Sequence, residues 1–213
     1  MHDDIELLKE NAAENYFSDT LLKNIIKGSK DRRYSLVKRW LKQGAIIRLK
    51  RGIYVLGEKY RNKGQNLFQA AQMLYGPSYI SLESALSYHG WIPEAVYTVT
   101  SAVEKRAKEI RTPLGVFSFT PVSYNTFFTG VDRVESDNGI FLMASPWRAL
   151  ADYVYVYRKD WKGFNAAAES LRIDREVLGM TNRKLMEEIR DSARNKRVKV
   201  FIQTCMEEMK EST

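Results

Sequence analysis

Residues 17–56 read FSDTLLKNIIKGSKDRRYSLVKRWLKQGAIIRLKRGIYVL. Two short amphipathic segments come first, broken by Gly28-Ser29, and two β-branched runs follow, separated by Lys50-Arg51-Gly52. In the first segment Ser18 or Asp19 is placed to cap a helix that runs to Lys27 and buries Leu21, Leu22, Ile25 and Ile26. In the second, Ser29 or Asp31 caps a helix that ends near Gly44, a residue suited to the position after a helix. At about 100° per residue, Leu36, Val37, Trp40 and Leu41 share one face. The opposite face carries Arg32, Ser35, Lys38, Arg39 and Lys42, while Arg33 falls on the apolar side, ahead of the regular helix or snorkelling out of it. Residues 45–49 and 53–56 pair as a hairpin, from which Arg48, Lys50 and Arg51 are expected to project. Helix, turn, helix and hairpin in that order predict a winged helix-turn-helix over residues 1–57.

The charge is as local as the pattern. From residue 20 to 55 there are eleven Lys and Arg against the single acid Asp31, a net of +10. Residues 1–19 carry −5 and residues 56–213 only +3, within a chain of 213 residues and net charge +8. Charge of one sign on the outer face of a second helix and on a hairpin tip is the electrostatic footprint of phosphate binding. Most charge runs are simply solvated faces. Here the single sign and the placement favour duplex DNA, with a helix entering the major groove. The candidate DNA-binding residues are therefore Arg32, Ser35, Lys38, Arg39, Lys42, Arg48, Lys50 and Arg51.

Outward from this stretch, residues 3–13 form a helical stripe of Ile5, Leu7, Leu8 and Ala12 with acids in the first turn. The segment 57–64, GEKYRNKG, is almost devoid of apolar residues and reads as a linker to a larger domain over 62–213. That domain opens with helices over 65–75 and 82–89, the second capped by Ser81. Residues 96–103 alternate and are rich in Val, Thr and Tyr, residues 116–122, 126–131 and 140–144 look similar, and all four predict strands, punctuated by Pro113, Gly115, Pro121, Asn125 and Asp137-Asn138-Gly139. Helices return over 147–157, 161–171, 175–178, 182–194 and 196–209, with Pro146 suited to a first turn. The fold class is thus α+β: a winged helix-turn-helix, then a central antiparallel or mixed sheet and a helical C-terminal part.

Apolar residues at 44% and aromatics at 12% argue for a folded chain. One cysteine, Cys205, fits a reducing cytoplasm, and no apolar run approaches the roughly 20 residues that span a bilayer. The acidic N-terminus is not a secretory signal. His2, His89 and Cys205 are too few and too scattered for a metal site, so no metal or other cofactor is expected; His89 reads as a capping or packing residue and Cys205 as core. A nuclease would need clustered carboxylates to hold Mg²⁺. Just after the predicted strand 126–131 stand Asp132 and Glu135, and Asp152 lies on a helix, so no catalytic site assembles and the chain is not expected to be an enzyme. The basic runs 105–111 and 190–199 read as solvated faces or as secondary phosphate contacts.

The basic winged helix ending in LKRGIYVL, then YISLESALSYHGWIPE (79–94), VYTVTSA (96–102) and ASPWRALADYVY (144–155), resembles the AbiEi-type antitoxins of bacterial type IV toxin–antitoxin and abortive-infection systems. The resemblance covers residues 17–157 and its motifs are not catalytic. It implies a repressor that binds its own operator as double-stranded DNA through the winged helix. It also implies a C-terminal domain that neutralises a nucleotidyltransferase toxin without a stable complex. By the same resemblance, Ser35, Lys38 and Arg39 fall where the recognition helix faces DNA, and Arg48, Lys50 and Arg51 fall on the wing. The competing readings are a nuclease targeted by a winged helix and a plain regulator whose C-terminal domain senses a ligand or only dimerises.

Overall fold

The structure is a computed structural model that describes residues 2–12, 15–61, 64–137, 139–180 and 182–211. Ala13, Asn62, Lys63 and Asn138, assigned from sequence to a helix end, the linker and a turn, lie outside the described residues. The protein is α+β, with a three-stranded sheet near the N-terminus and a mixed six-stranded sheet after it.

The N-terminal unit runs α1 (His2–Asn11), β1 (Tyr16–Ser18), α2 (Asp19–Ile25), α3 (Lys30–Lys42), β2 (Ile46–Lys50) and β3 (Ile53–Leu56). The caps fall where the sequence puts them. Ser18 accepts from the Leu21 amide at 3.3 Å and Ser29 from the Arg32 amide at 3.1 Å, each satisfying an orphan N–H of a first turn. Gly44, at φ +66°, turns the chain out of α3. The strand order is β1-β3-β2, antiparallel throughout. The sequence pattern does not predict β1; three residues are too few to show a period of two.

Strand alternation gives this small sheet two buried faces. One carries Phe17, Ile46, Tyr54 and Leu56 into a core with Leu8, Leu22, Leu36 and Trp40. The other carries Tyr16, Leu49 and Val55 into the core of the second unit, against Ala70, Ala71 and Leu74. The Tyr16 hydroxyl donates to the Asn66 carbonyl across this junction at 2.9 Å. Residues 57–64 are polar, as a linker would be, yet the surfaces they join are apolar. Gly57 itself is buried, and an added Cβ would sit 1.9 Å from the Gly44 carbonyl oxygen.

The second unit runs α4 (Leu67–Leu74), β4 (Ser78–Ile80), α5 (Leu82–Tyr88), β5 (Thr98–Val103), β6 (Lys108–Thr112), β7 (Gly115–Pro121), β8 (Val131–Ser136), β9 (Gly139–Ala144), α6 (Pro146–Val156), α7 (Phe164–Leu171), α8 (Arg183–Ser192) and α9 (Lys196–Glu211). The sheet order is β6-β7-β5-β4-β9-β8. β4–β9 and β5–β7 are parallel and the other pairs antiparallel. The strand expected over 126–131 does not form. The Asn125 and Thr126 amides donate to the Ser192 carbonyl and hydroxyl at 2.7 and 3.2 Å, so this backbone is held by the end of α8 and pairing begins only at Val131. The basic run 105–111, expected as a solvated face, supplies edge strand β6. Its charged side chains stay in water while its backbone pairs with β7, which also discourages edge-to-edge association.

Candidate nucleic-acid interface

Between α2, α3 and the β2–β3 hairpin lies a cleft of about 810 Å³. Leu22 and Val37 form its apolar floor, and Lys23, Lys30, Arg33, Arg48 and Arg51 line it. Asp19 is the one acid among its lining residues. The Asp19 amide donates to the Gly52 carbonyl at 3.0 Å, which holds the hairpin tip beside the start of α2 and so brings Arg51 towards Lys23. The Arg48 guanidinium lies 5.7 Å from the centre of the Tyr54 ring, with Asp19 close by. Burial, then the Asp19 carboxylate, holds the Tyr54 hydroxyl above its ordinary pKa. Tyr34, 69% exposed, stands at the rim.

Lys30, Arg33, Tyr34 and Val37 follow the i, i+3, i+4, i+7 spacing, so they form one stripe on α3. On a regular helix Ser35, Arg39 and Lys42 lie roughly 120–180° from Lys30, on the far side, and Lys38 lies about 80° away. The eight residues expected at the interface therefore separate. Arg48 and Arg51 line the cleft; Ser35, Lys38 and Lys42 are exposed on α3 outside its lining, and Arg39 is half-buried.

One placement is corrected, that of Lys50, and Arg32 stands outward as expected but already partnered. Arg32 is exposed but engaged: it donates to the Asp4 carboxylate at 2.8 Å and to the Lys27 carbonyl at 2.5 Å, tying α1 to the turn before α3. Lys50 does not project from the hairpin. A bulge between Arg48 and Lys50 pairs Lys50 with Ile53, on the junction face, where its ammonium donates to the Leu74 carbonyl at the end of α4. Burial, then the neighbouring Lys108, lowers the Lys50 pKa. Lys23, Lys30, Arg33 and Tyr34 join the cleft without having been expected there. For three of them the helical spacing carries the signal. By helical angle Arg33 sits on the apolar side, and it is the apolar side that borders the cleft. Its Nη1 donates to the Gly28 carbonyl at 2.6 Å.

The motifs 79–81 and 144–152 meet at a different place, inside the second unit. Arg148 and Asp152 are wholly buried and paired at 3.1 Å. Asp152 also accepts from the Tyr79 and Ser81 hydroxyls at 2.8 and 2.7 Å. Arg148 donates to the Thr129 and Phe127 carbonyls at 2.5 and 3.1 Å and to the Tyr79 hydroxyl at 2.5 Å, and its guanidinium lies 3.4 Å from the centre of the Tyr124 ring. Burial first, then the Asp152 carboxylate, raises the pKa of Tyr79 and of Tyr124. Sealed from solvent, the network ties α6 to β4 and to the 127–129 turn.

His89 caps α5 and its Nε2 pairs with the Ala144 carbonyl at 2.9 Å, and Cys205 is buried with its thiol pKa pushed up by that burial. Among the described residues, no group of three or more His, Cys, Asp or Glu is arranged to hold a metal ion. Asp132 and Glu135 are exposed on β8, whereas Asp152 is wholly buried on the inner face of α6. None of the described helices is long and apolar enough to cross a membrane. No protein-family model matches the chain, and no curated protein matches it.

Proposed function

We propose that the protein is a DNA-binding transcriptional regulator whose N-terminal unit works as a winged helix-turn-helix, with the cleft between α2, α3 and the hairpin seated on duplex DNA. The observation that carries this is the convergence of Lys23, Lys30, Arg33, Arg48 and Arg51, from three separate elements, on one surface opposed by a single acid. Bringing five cations together costs electrostatic free energy that a polyanion offsets through counterion release. Helix α3 offers its N-terminal half, Lys30, Arg33 and Tyr34, to the cleft, and in helix-turn-helix docking that half of the recognition helix reaches base edges. Arg48 and Arg51 then contact the backbone alongside.

The test is a titration of fluorescent duplex DNA over a series of salt concentrations. Each of Lys30→Ala, Arg33→Ala and Arg51→Ala reduces the slope of log K against log salt by about one for each phosphate that the side chain neutralises. The control is a Ser35→Ala/Lys38→Ala/Lys42→Ala triple on the outer faces of α3. Loss of binding in that control with retention in the cleft variants moves the interface to the side of α3 first expected from the sequence. Retention in both sets removes the N-terminal unit as the DNA reader.

The resemblance to AbiEi-type antitoxins takes the proposal one step further: a cytoplasmic, non-catalytic repressor of its own operon that neutralises a nucleotidyltransferase toxin without a stable complex. The order of the motifs along residues 17–157 supports it. Rescue of cells expressing a nucleotidyltransferase encoded beside this gene tests it, and growth arrest despite full expression of this chain counts against it.

A further inference from the structure

A second cavity, of about 420 Å³, lies in the second unit where α4, α5, β5 and β9 meet. Its walls are aromatic. Phe68 meets Tyr88 and Phe141 edge-to-face, with ring centres 5.9 and 5.3 Å apart, and Tyr88 meets Phe141 at 6.0 Å. Phe141 belongs to the core, but Tyr88 is 48% exposed and Tyr97, also in the lining, is 91% exposed. These two leave aromatic surface in water beside an open volume. That volume falls within the roughly 300–1,000 Å³ of small-molecule sites.

The polar part of the lining consists of amides and hydroxyls, and among the described residues no charged side chain lines the cavity. The Gln65 amide, oriented by its surroundings so that its oxygen accepts from the Arg61 guanidinium at 2.8 and 3.1 Å, keeps its NH₂ group as a donor. Ser87 donates to the Glu94 carbonyl at 3.2 Å, which leaves its oxygen as an acceptor. Aromatic faces together with both a donor and an acceptor match a flat heteroaromatic ring, whose edge presents both kinds of group and whose faces stack. An aliphatic ligand would leave the polar groups unpaired, and an anion would find no counter-charge in the lining.

One wall is already rigid. The Asn66 side-chain oxygen accepts from the Phe68 and Gln69 amides at 3.0 and 3.2 Å, its NH₂ donates to Ser136 at 3.4 Å, and its carbonyl receives the Tyr16 hydroxyl. The cavity floor is therefore held in place before any ligand arrives, which lowers the ordering cost of binding. From this geometry we infer that the cavity is a binding site for an uncharged nucleobase or nucleoside.

The experiment is calorimetric titration of the full-length protein with adenosine, guanosine, cytidine and uridine, each taken to millimolar concentration. At least one binds saturably, and its affinity falls at least tenfold in Tyr88→Ala, a half-exposed position, with folding verified by circular dichroism. Phe68→Ala, with folding verified by circular dichroism, gives the same loss. Absence of saturable binding by all four nucleosides overturns the inference. So does binding that is unchanged in both variants, because the site then lies elsewhere. DNA titration of the same variants is a separate measurement, so failure here leaves the reading of the basic cleft standing.

Discussion

Replacing Arg148 with Met leaves the Asp152 carboxylate wholly buried without its cation. Arg148 makes four hydrogen bonds, to Asp152, Thr129, Phe127 and Tyr79, and the substitution removes all four. Asp152 keeps the Tyr79 and Ser81 hydroxyls, which are neutral. Breaking one partner of a buried pair typically costs about 3–5 kcal/mol, far more than the net value of the pair, because the remaining charge stays desolvated. For a chain of this size that corresponds to a fall in Tm of roughly 6–20 °C. The assay is thermal and urea unfolding of wild type, Arg148→Met, Asp152→Leu and the double variant. The double variant loses less stability than the two single losses added together, because no unpaired charge remains. On the proposed DNA-binding reading, Arg148→Met keeps the wild-type salt slope below its melting point, since the network touches no residue of the basic cleft. An Arg148→Met protein that melts with wild type refutes the reasoning: the pair would then not be holding α6 to the sheet. A reduced salt slope in the still-folded variant would tie the motif to DNA binding instead.

The N-terminal core depends on Trp40, which is 3% exposed at the centre of the α3 face, and Trp40→Ala costs about 3–5 kcal/mol by urea unfolding. A mutant as stable as wild type would place α3 the other way round. Tyr16 has its pKa raised from 10.0 to about 12, chiefly by burial at the junction. The neutral phenol is the form that folding favours, so this contribution is complete below pH 10 and lost as pH rises through about 12. Tyr16→Phe should flatten the fall of stability over that window by roughly 2–3 kcal/mol relative to wild type. Equal alkaline losses in the two proteins would show that Tyr16 does not titrate there. Cutting the chain between residues 60 and 62 uncovers Tyr16, Leu49 and Val55 on one fragment and Ala70, Ala71 and Leu74 on the other. Both fragments should therefore melt lower than the whole chain and bind a hydrophobic dye, and two fragments as stable as the parent would make the junction dispensable.

Much of the local structure is written in single residues. Ser18, Ser29 and Asn182 cap helices because a short oxygen-bearing side chain reaches the orphan amides of a first turn, and each stands just before an apolar stripe. Trp40 and its neighbours repeat at helical spacing, and burial follows. The features hidden from the sequence are those made by pairing. β1 and β4 have three residues each, too short for alternation to register, and β4 is buried on both faces. β6 looks like a solvated run because an edge strand needs only its backbone to pair. The fold class is therefore more legible than the strand list.

The candidate site is half legible, for a reason that lies in the hairpin. Residues 46–50 read Ile-Ile-Arg-Leu-Lys, and strict alternation would put Ile46, Arg48 and Lys50 on one face. Arg48, opposite Tyr54, does face the helices. The bulge after it restarts the alternation, so Lys50 joins Ile47 and Leu49 on the junction side, and the cleft keeps Arg51 from the tip instead. The same geometry explains α3. A helix packed beside a hairpin has three sides: one in the core, one in open water and one bordering the hairpin. Separating residues into apolar and charged distinguishes only the first two. Arg33 belongs to the third, with its stem beside Val37 and its guanidinium on Gly28, and the helical angle alone places it with the core. Where a basic helix is followed by a hairpin, charged residues that fall next to the apolar stripe are thus better candidates for the cleft than those diametrically opposite it.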